Sequence, residues 1–411
     1  MKAHIGYFIP EFPGQTHIFL WRERQVLEQE LAIKADLVST RHPPRAIASH
    51  TWAAEAAGQT DYLVPFSVGD LGGAIAVLLQ AGLMAWWRCF QVIVRAKDTT
   101  LGQKIRLLAL VFIGAKLGNI AKKRNWESIH VHSCADAANI ALFAFLLTGI
   151  PYSMTLHGPT LEGYGPNQAQ KWQYSQFALV VSAKLARYTE KVLADSLPPL
   201  VAVAPMGVNL DDIKRDRPYE PWTADRPCRL FACGRLNPVK GHKDLLASVK
   251  ILRDRGIDVR LEIAGEDEQG GSGYHQVLDQ IIAEKELTAV VTLLGAVSET
   301  RIREGLEAAH LFALASLNEG VPVAVMEAMA MAMPIVVTDV GGTSELVDSE
   351  VDGLLVPPES PEVMADAIER VLQHPDLALQ LSQRSRSKVM ENFNHRRSAE
   401  VLATSLFDTR A

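Results

Sequence analysis

Two carboxylates, separated by seven residues, stand in Asn318-Glu319-Gly320-Val321-Pro322-Val323-Ala324-Val325-Met326-Glu327-Ala328-Met329, across a Gly-Val-Pro turn and the start of an apolar stretch. Proline suits the first turn of a helix, where its missing N–H would be unpaired anyway. Pro322 is therefore expected to start a helix running to about Met331, with Glu319 on the loop before it. A helix N-terminus offers free N–H groups and the positive end of a dipole, which suits phosphates. Carboxylates suit sugar hydroxyls. One motif could then grip both ends of a nucleotide sugar: Gly320, Val321 and Pro322 at the phosphates, Glu319 on a hexose and Glu327 on the ribose. The competing reading makes Glu319 a helix cap and Glu327 a solvated charge.

A second basic constellation lies upstream. In Gly234-Arg235-Leu236-Asn237-Pro238-Val239-Lys240-Gly241-His242, a guanidinium and an ammonium stand five positions apart on a glycine-bounded loop after a strand pattern. The first binds phosphate bidentately and the second acts as a point charge, so together they can neutralise charge growing on a departing nucleotide. The bland alternative is a surface loop with two solvated cations.

His130, His132 and His157 flank a helix in Ile129-His130-Val131-His132 and Thr155-Leu156-His157-Gly158. No carboxylate partners accompany them, so no metal site is assigned. His157, at a strand end, is expected to point into a cleft. His130 and His132 are expected on alternate faces of one strand. Gly14, Gln15 and Thr16, in a proline loop after the first strand, are candidates for closing over phosphate or acceptor. Trp21 on the next helix is read as core, and Tyr164 to Gln168 as a polar loop that could touch the acceptor.

The elements that would position these groups alternate. Strand patterns at His4 to Ile9, Ala35 to Ser39, Ser128 to His132, Tyr152 to Leu156, Leu179 to Ser182 and Leu200 to Val203 are separated by helical stretches. That order predicts a parallel sheet covered by helices. The pattern restarts at Cys228 to Arg235 and continues through Arg260 to Ala264, Val290 to Leu294 and Leu311 to Ala315. With 411 residues the chain exceeds one ordinary core. The expected division is 1–210, a charged and proline-rich linker 211–226, a second domain 227–385, and a terminal helix 386–411 crossing back to the first.

Forty-one basic against 47 acidic residues give a formal charge of −6, which does not suggest nucleic-acid binding. Cys89, Cys134, Cys228 and Cys233 form no CxxC pair and no metal spacing, as in a reducing cytoplasm. The N-terminus runs straight into a strand without a signal-peptide pattern, so a cytoplasmic location is expected. Leu71 to Trp87 carries no charge, and Ile105 to Trp126 mixes apolar residues with Lys116, Lys122, Lys123 and Arg124. That stretch reads as a buried helix pair or as an interfacial face on the inner side of a membrane; it is short for a span of about 20 apolar residues.

The segments around Glu319 and Gly341 resemble the EGxPxxxxEAMA and VGGxxELV patterns of retaining glycosyltransferases of family 4, and Phe12 to Glu23 resembles the FPxxSETFIxRE motif of exopolysaccharide enzymes of the colanic-acid type. The chain departs from the latter in reading Thr16-His17-Ile18 where that motif has Ser-Glu-Thr. The resemblance implies an α/β GT-B fold, with two Rossmann-like domains facing a central cleft and the donor on the second. It implies phosphate binding by Arg235 and Lys240, His157 near the donor sugar, and no divalent ion or other cofactor. The function it implies is retaining transfer of a hexose from a nucleotide diphosphate sugar to a hydroxyl of a polysaccharide or lipid-linked precursor, with His157 and Glu319 at the reacting centre. A nucleotide-sugar epimerase or hydrolase on the same fold, and a non-catalytic membrane-associated scaffold, are the rival readings.

Overall fold

The computed structural model describes residues 3–14, 17–43, 52–97, 99–267 and 273–409. The chain forms two compact units, one holding residues up to Pro43, Trp52–Pro205 and Arg396 onward, the other Met206–His395. In the first, the order is β1 (Ala3–Glu11), α1 (Ile18–Gln29), β2 (Ile33–Arg41), α2 (Ala53–Gly58), β3 (Asp61–Tyr62), α3 (Val68–Gln80), α4 (Gly82–Arg95), α5 (Leu101–Arg124), β4 (Ser128–Val131), α6 (Asp136–Thr148), β5 (Tyr152–Leu156), α7 (Gln168–Gln173), β6 (Ala178–Val180), α8 (Ala183–Leu193) and β7 (Val201–Val203). The seven strands pair in the order β3-β2-β1-β4-β5-β6-β7, all parallel. Such sheets need helices on both faces, and their strands read as near-continuous apolar runs; every residue of β4 and β5 is buried.

The second unit runs β8 (Cys228–Cys233), α9 (His242–Asp254), β9 (Val259–Ala264), α10 (Tyr274–Glu284), β10 (Val291–Gly295), α11 (Glu299–Ala308), β11 (Leu311–Leu314), α12 (Val323–Ala330), β12 (Ile335–Thr338), α13 (Thr343–Leu346), β13 (Leu354–Val356), α14 (Pro361–Gln373) and α15 (Pro375–Asn392). Its parallel sheet is ordered β10-β9-β8-β11-β12-β13. Both units thus have the doubly wound order in which the chain works outward from one central strand and then resumes on its other side. In the second unit that reversal falls between β8 and β11.

The segment 211–226, read from its charge and prolines as a linker, is instead packed onto the second unit. The Tyr219 hydroxyl donates to His310 O at 2.8 Å, and Arg215 donates to Leu306 O and Glu307 O at 3.3 and 2.6 Å. Nor is the C-terminal segment 386–411 one helix. It breaks after Asn392, and α16 (Arg396–Asp408) belongs to the first unit, where it packs on α1.

Helices α3, α4 and α5 stack beside α6. Gly114 and Gly118 let α5 approach it closely, since an added Cβ would lie 2.9 Å from Ile140 O and 2.6 Å from Thr148 Cγ2. Lys116 does not face outward. It is buried, and its ammonium donates to Tyr62 O and Leu63 O and pairs with Asp70 at 2.9 Å. Other faces of these helices stay uncovered, with Leu79 80%, Leu83 90% and Leu101 77% exposed. No single helix among the described residues is long and apolar enough to cross a membrane; α3 and α4 suffice together only in length and composition, and are bent by 101°.

Candidate functional site

The loops that follow β8 and β11 hold the second unit's chemistry. After β8, the Gly234 amide donates to Ala264 O and the Leu236 amide to Glu266 O, both at 2.9 Å. Asn237 accepts the Lys240 amide through Oδ1 at 3.1 Å, folding residues 238–240 into one tight turn. Gly241 then takes a left-handed φ of +62°, and a Cβ there would sit 1.8 Å from Ala315 O. This close approach lets the Leu317 amide donate to Val239 O at 2.7 Å. A second glycine turn holds the other side. Gly341, at φ +54°, would place a Cβ 1.6 Å from Glu319 O, and the Gly342 amide donates to Gly320 O at 2.8 Å. The 315–320 loop is therefore clamped between two glycine turns.

The clamp brings residues distant in sequence together. Lys240 Nζ donates to Glu319 Oε1 at 2.6 Å, and Ser316 Oγ donates to the same oxygen at 2.6 Å. Ser316 is itself anchored, its carbonyl accepting the Thr338 hydroxyl. Glu319 is buried on its loop as expected, but Pro322 is the residue before α12 rather than inside its first turn. Its carbonyl accepts from the Val325 and Met326 amides. The amides of Val323 and Ala324 therefore lie ahead of the helix ladder. Val321 is buried, Gly320 and Glu327 are half-buried, and Arg235 is exposed. Burial, then the Glu327 carboxylate, push the Cys233 thiol up to about 12 against the opposing charge of Lys240, so both charges act at the end of β8.

In the first unit the histidines depart from expectation. Residues two apart on a strand share a face, and the His130 and His132 rings lie on the same side with centroids 4.7 Å apart. His130 is a core residue: its ring nitrogens contact Ser153 Oγ at 2.8 Å and Thr155 Oγ1 at 2.9 Å. Burial first, and then the neighbouring His157 ring, which disfavours a second proton, hold its pKa at about 3. His157 lies just past β5, with Nε2 3.2 Å from His132 Nδ1. Burial and then His17 hold it at about 3 also, so it is a neutral imidazole.

Glu23 and Tyr7 join this group without having been singled out as site residues. The Tyr7 hydroxyl donates to Glu23 Oε1 at 2.7 Å, and His132 Nε2 lies 3.4 Å from that same oxygen. A signal existed: Leu20, Glu23 and Leu27 follow helical spacing on the buried face of α1. Trp21 is buried, stacked on Trp52 as a core residue. Gly14 is buried and accepts the His17 amide at 3.1 Å; Gln15 and Thr16 lie outside the described residues. The polar loop at Tyr164 to Gln168 is occupied structurally, Gln168 Nε2 donating to Cys134 O, Tyr164 O and Gly165 O. Among the described residues, no three His, Cys, Asp or Glu side chains group as metal ligands.

The loops after β8 and β11, with the helix that follows each, lie inside one recognisable segment. Residues 218–388 match the family Glycosyl transferases group 1. The glycosyltransferase WcaL of Escherichia coli K12, named for colanic acid biosynthesis, is 28% identical over 60% of each chain. Sucrose-phosphate synthase from Thermosynechococcus elongatus shares the fold over 99% of both chains, with a TM-score of 0.74 at 17% identity. Anabaena HepE, solved in complex with UDP-glucose, covers 99% of this chain and 100% of its own at 16% identity, with a TM-score of 0.73. The two parallel-sheet α/β domains of the expected GT-B fold are thereby borne out. The chain spans about half the length of the curated relatives it matches, from 38% to 60% in the first four.

Proposed function

We propose that this protein is a hexosyltransferase. It moves a hexose from a nucleotide diphosphate sugar to a hydroxyl of a polysaccharide or lipid-linked saccharide precursor, with retention and without a metal ion or other cofactor. The observation that carries the reading is the Lys240–Glu319 pair, clamped where the strand order of the second unit reverses, the place where doubly wound sheets bind ligands. Lys240 and Arg235 would neutralise the diphosphate, helped by the amides ahead of α12. Glu319 would accept hydrogen bonds from the hexose and Glu327 from the ribose. The resemblance gives His157 a hydrogen bond to the donor sugar, while Gly14, Gln15 and Thr16, by their place in the loop after β1, could close over phosphate or acceptor.

In the reaction the bond from the anomeric carbon to the leaving phosphate oxygen breaks as the acceptor oxygen bonds to the same face. The acceptor proton passes to the leaving phosphate, so no carboxylate nucleophile is required. The uncovered apolar faces of α3, α4 and α5 fit a peripheral position on the inner side of a membrane, within reach of a lipid-linked acceptor. From Leu71 to Arg124 the sequence holds nine Lys or Arg and a single acidic residue, a balance that suits anionic lipid.

The test is nucleoside diphosphate release from UDP, GDP and ADP sugars, with and without a membrane lipid extract, using Glu319→Ala as the blank. Release absent from the blank identifies the donor, and stimulation by the extract supports a lipid-linked acceptor. Neither consumption nor binding of any donor would return the chain to the scaffold reading.

A further inference from the structure

Helix α12 is fastened at the end opposite the Glu319 loop, and the fastening comes from α15. The sequence explains why an outside donor is needed there. The turn leaving α12 closes with the Ala332 amide on Met329 O at 2.9 Å and the Met333 amide on Ala328 O at 3.1 Å, around a left-handed Ala332 at φ +52°. The amide that would reach the Ala330 carbonyl, four residues on, belongs to Pro334, which has no N–H. Arg386 of α15 donates to that carbonyl instead, and Ser382, one turn earlier on the same face, donates to Ala332 O at 2.7 Å. Ser382 is buried and Arg386 half-buried. The guanidinium thereby lies at the negative end of the helix dipole, where a cation is favoured. Along its length α12 offers little that would fix its position: of its eight side chains only Glu327 is polar, and apolar packing is not directional. Two turns make a rod roughly 12 Å long, so a displacement at Ala330 is carried to the amides of Val323 and Ala324 at the other end.

We propose that Arg386 and Ser382 are positioning residues: they set where α12 presents its leading amides and Glu327, and so how tightly the second unit holds a nucleoside diphosphate. This rests on the reading of α12 as the helix that takes the diphosphate and the ribose, and it adds to the determinants of donor affinity a helix that contributes no side chain to the Lys240–Glu319 pair.

The test separates position from stability. Full-length Arg386→Met keeps the stem and removes the donors; in calorimetric titration with UDP, GDP and ADP it should bind the preferred nucleotide about tenfold more weakly. KM for the corresponding sugar nucleotide should rise by more than kcat falls, because these contacts are made before as well as during the reaction. Arg386→Lys keeps a charged donor and should retain most of the affinity. Ala332→Gly relieves the left-handed alanine and should raise Tm; placed in Arg386→Met it should restore Tm but not affinity. Without nucleotide, amide hydrogen exchange in Arg386→Met should quicken at Val325 and Met326, whose amides close the first turn of α12 on Pro322 O. Wild-type affinity in folded Arg386→Met overturns the proposal, as does affinity that returns with Tm in the double variant, or unchanged exchange at Val325 and Met326. If exchange responds as stated but the wild-type protein binds no nucleoside diphosphate, the transferase reading fails while the hold of α15 on α12 stands.

Discussion

Replacing Lys240 by methionine separates what the Lys240–Glu319 pair does for the fold from what it does for donor binding. The substitution keeps most of the stem and removes the ammonium that lies 2.6 Å from Glu319 Oε1. Breaking a fully buried pair costs about 3–5 kcal/mol because one charge is left without compensation. Here the Lys240 and Glu319 side chains keep 18% and 10% of their exposure, so water screens part of the loss, and Ser316 Oγ remains on the carboxylate. The expected cost is therefore about 2–3 kcal/mol. For a unit of this size that corresponds to a fall in Tm of roughly 4–12 °C. The double variant Lys240→Met, Glu319→Gln removes the stranded charge as well and should recover at least about 1 kcal/mol of it. Donor turnover should not recover, since neither variant can neutralise phosphate; both should lose roughly two to three orders of magnitude. Calorimetry of the single and double variants, beside nucleoside diphosphate release, reads both halves. A Lys240→Met protein as stable as wild type, or a double variant no more stable than the single one, would refute the argument that this pair is a buried, coupled element.

Gly241→Ala must adopt a left-handed backbone, at about 1–2 kcal/mol, and places its methyl group 1.8 Å from Ala315 O, adding about 1–3 kcal/mol of overpacking. Thermal melting and donor titration should both suffer, because the displaced loop carries Glu319; unaltered donor affinity would show that the clamp is dispensable. The wild-type protein should float with anionic liposomes, and Leu83→Ser, Trp87→Ser should not, at no cost in stability since both side chains are exposed; equal flotation would remove the membrane face from the proposal. His130, held at about 3 by burial, is uncharged in the fold, whereas the unfolded chain takes up its proton below about 6.5. Between those values the unfolded state binds more protons, so stability should fall as pH drops, by up to about 1.4 kcal/mol per pH unit. Denaturant melts between pH 7 and 5 check this, with His130→Phe expected to reduce the dependence by this one group's share while the other buried histidines keep theirs.

Periodicity and turn chemistry made the element order legible. The strand at Tyr152 to Leu156 lies where its pattern places it. Register across the chain was less accessible, because it depends on which strands become neighbours. Lys240 and Glu319 meet only because β8 and β11 are adjacent, and no spacing in the sequence announces that. Charge misled in two places. Arg215 read as part of a charged linker and Lys116 as part of a helix pair or an interfacial face, yet each donates to backbone carbonyls inside its own unit, satisfying its charge through acceptors that composition does not reveal. Ser316 and Glu23 escaped notice for a related reason, since each acts on another side chain through a hydrogen bond and neither belongs to a charge pattern.

The geometry at Glu319 also bears on how a retaining transfer could proceed. A carboxylate that attacks an anomeric carbon needs an oxygen whose lone pairs are available, and two short hydrogen bonds withdraw electron density from the atom that receives them. Glu319 Oε1 accepts both Lys240 and Ser316 at 2.6 Å. Binding a diphosphate would draw on Lys240, but the Ser316 bond depends only on the loop and on Thr338 beneath it. That arrangement favours a carboxylate that orients hydroxyls over one that forms a covalent intermediate, and it leaves the leaving phosphate as the base. A trapped glycosyl adduct on Glu319, sought by mass spectrometry after incubation with donor alone, would reverse the assignment.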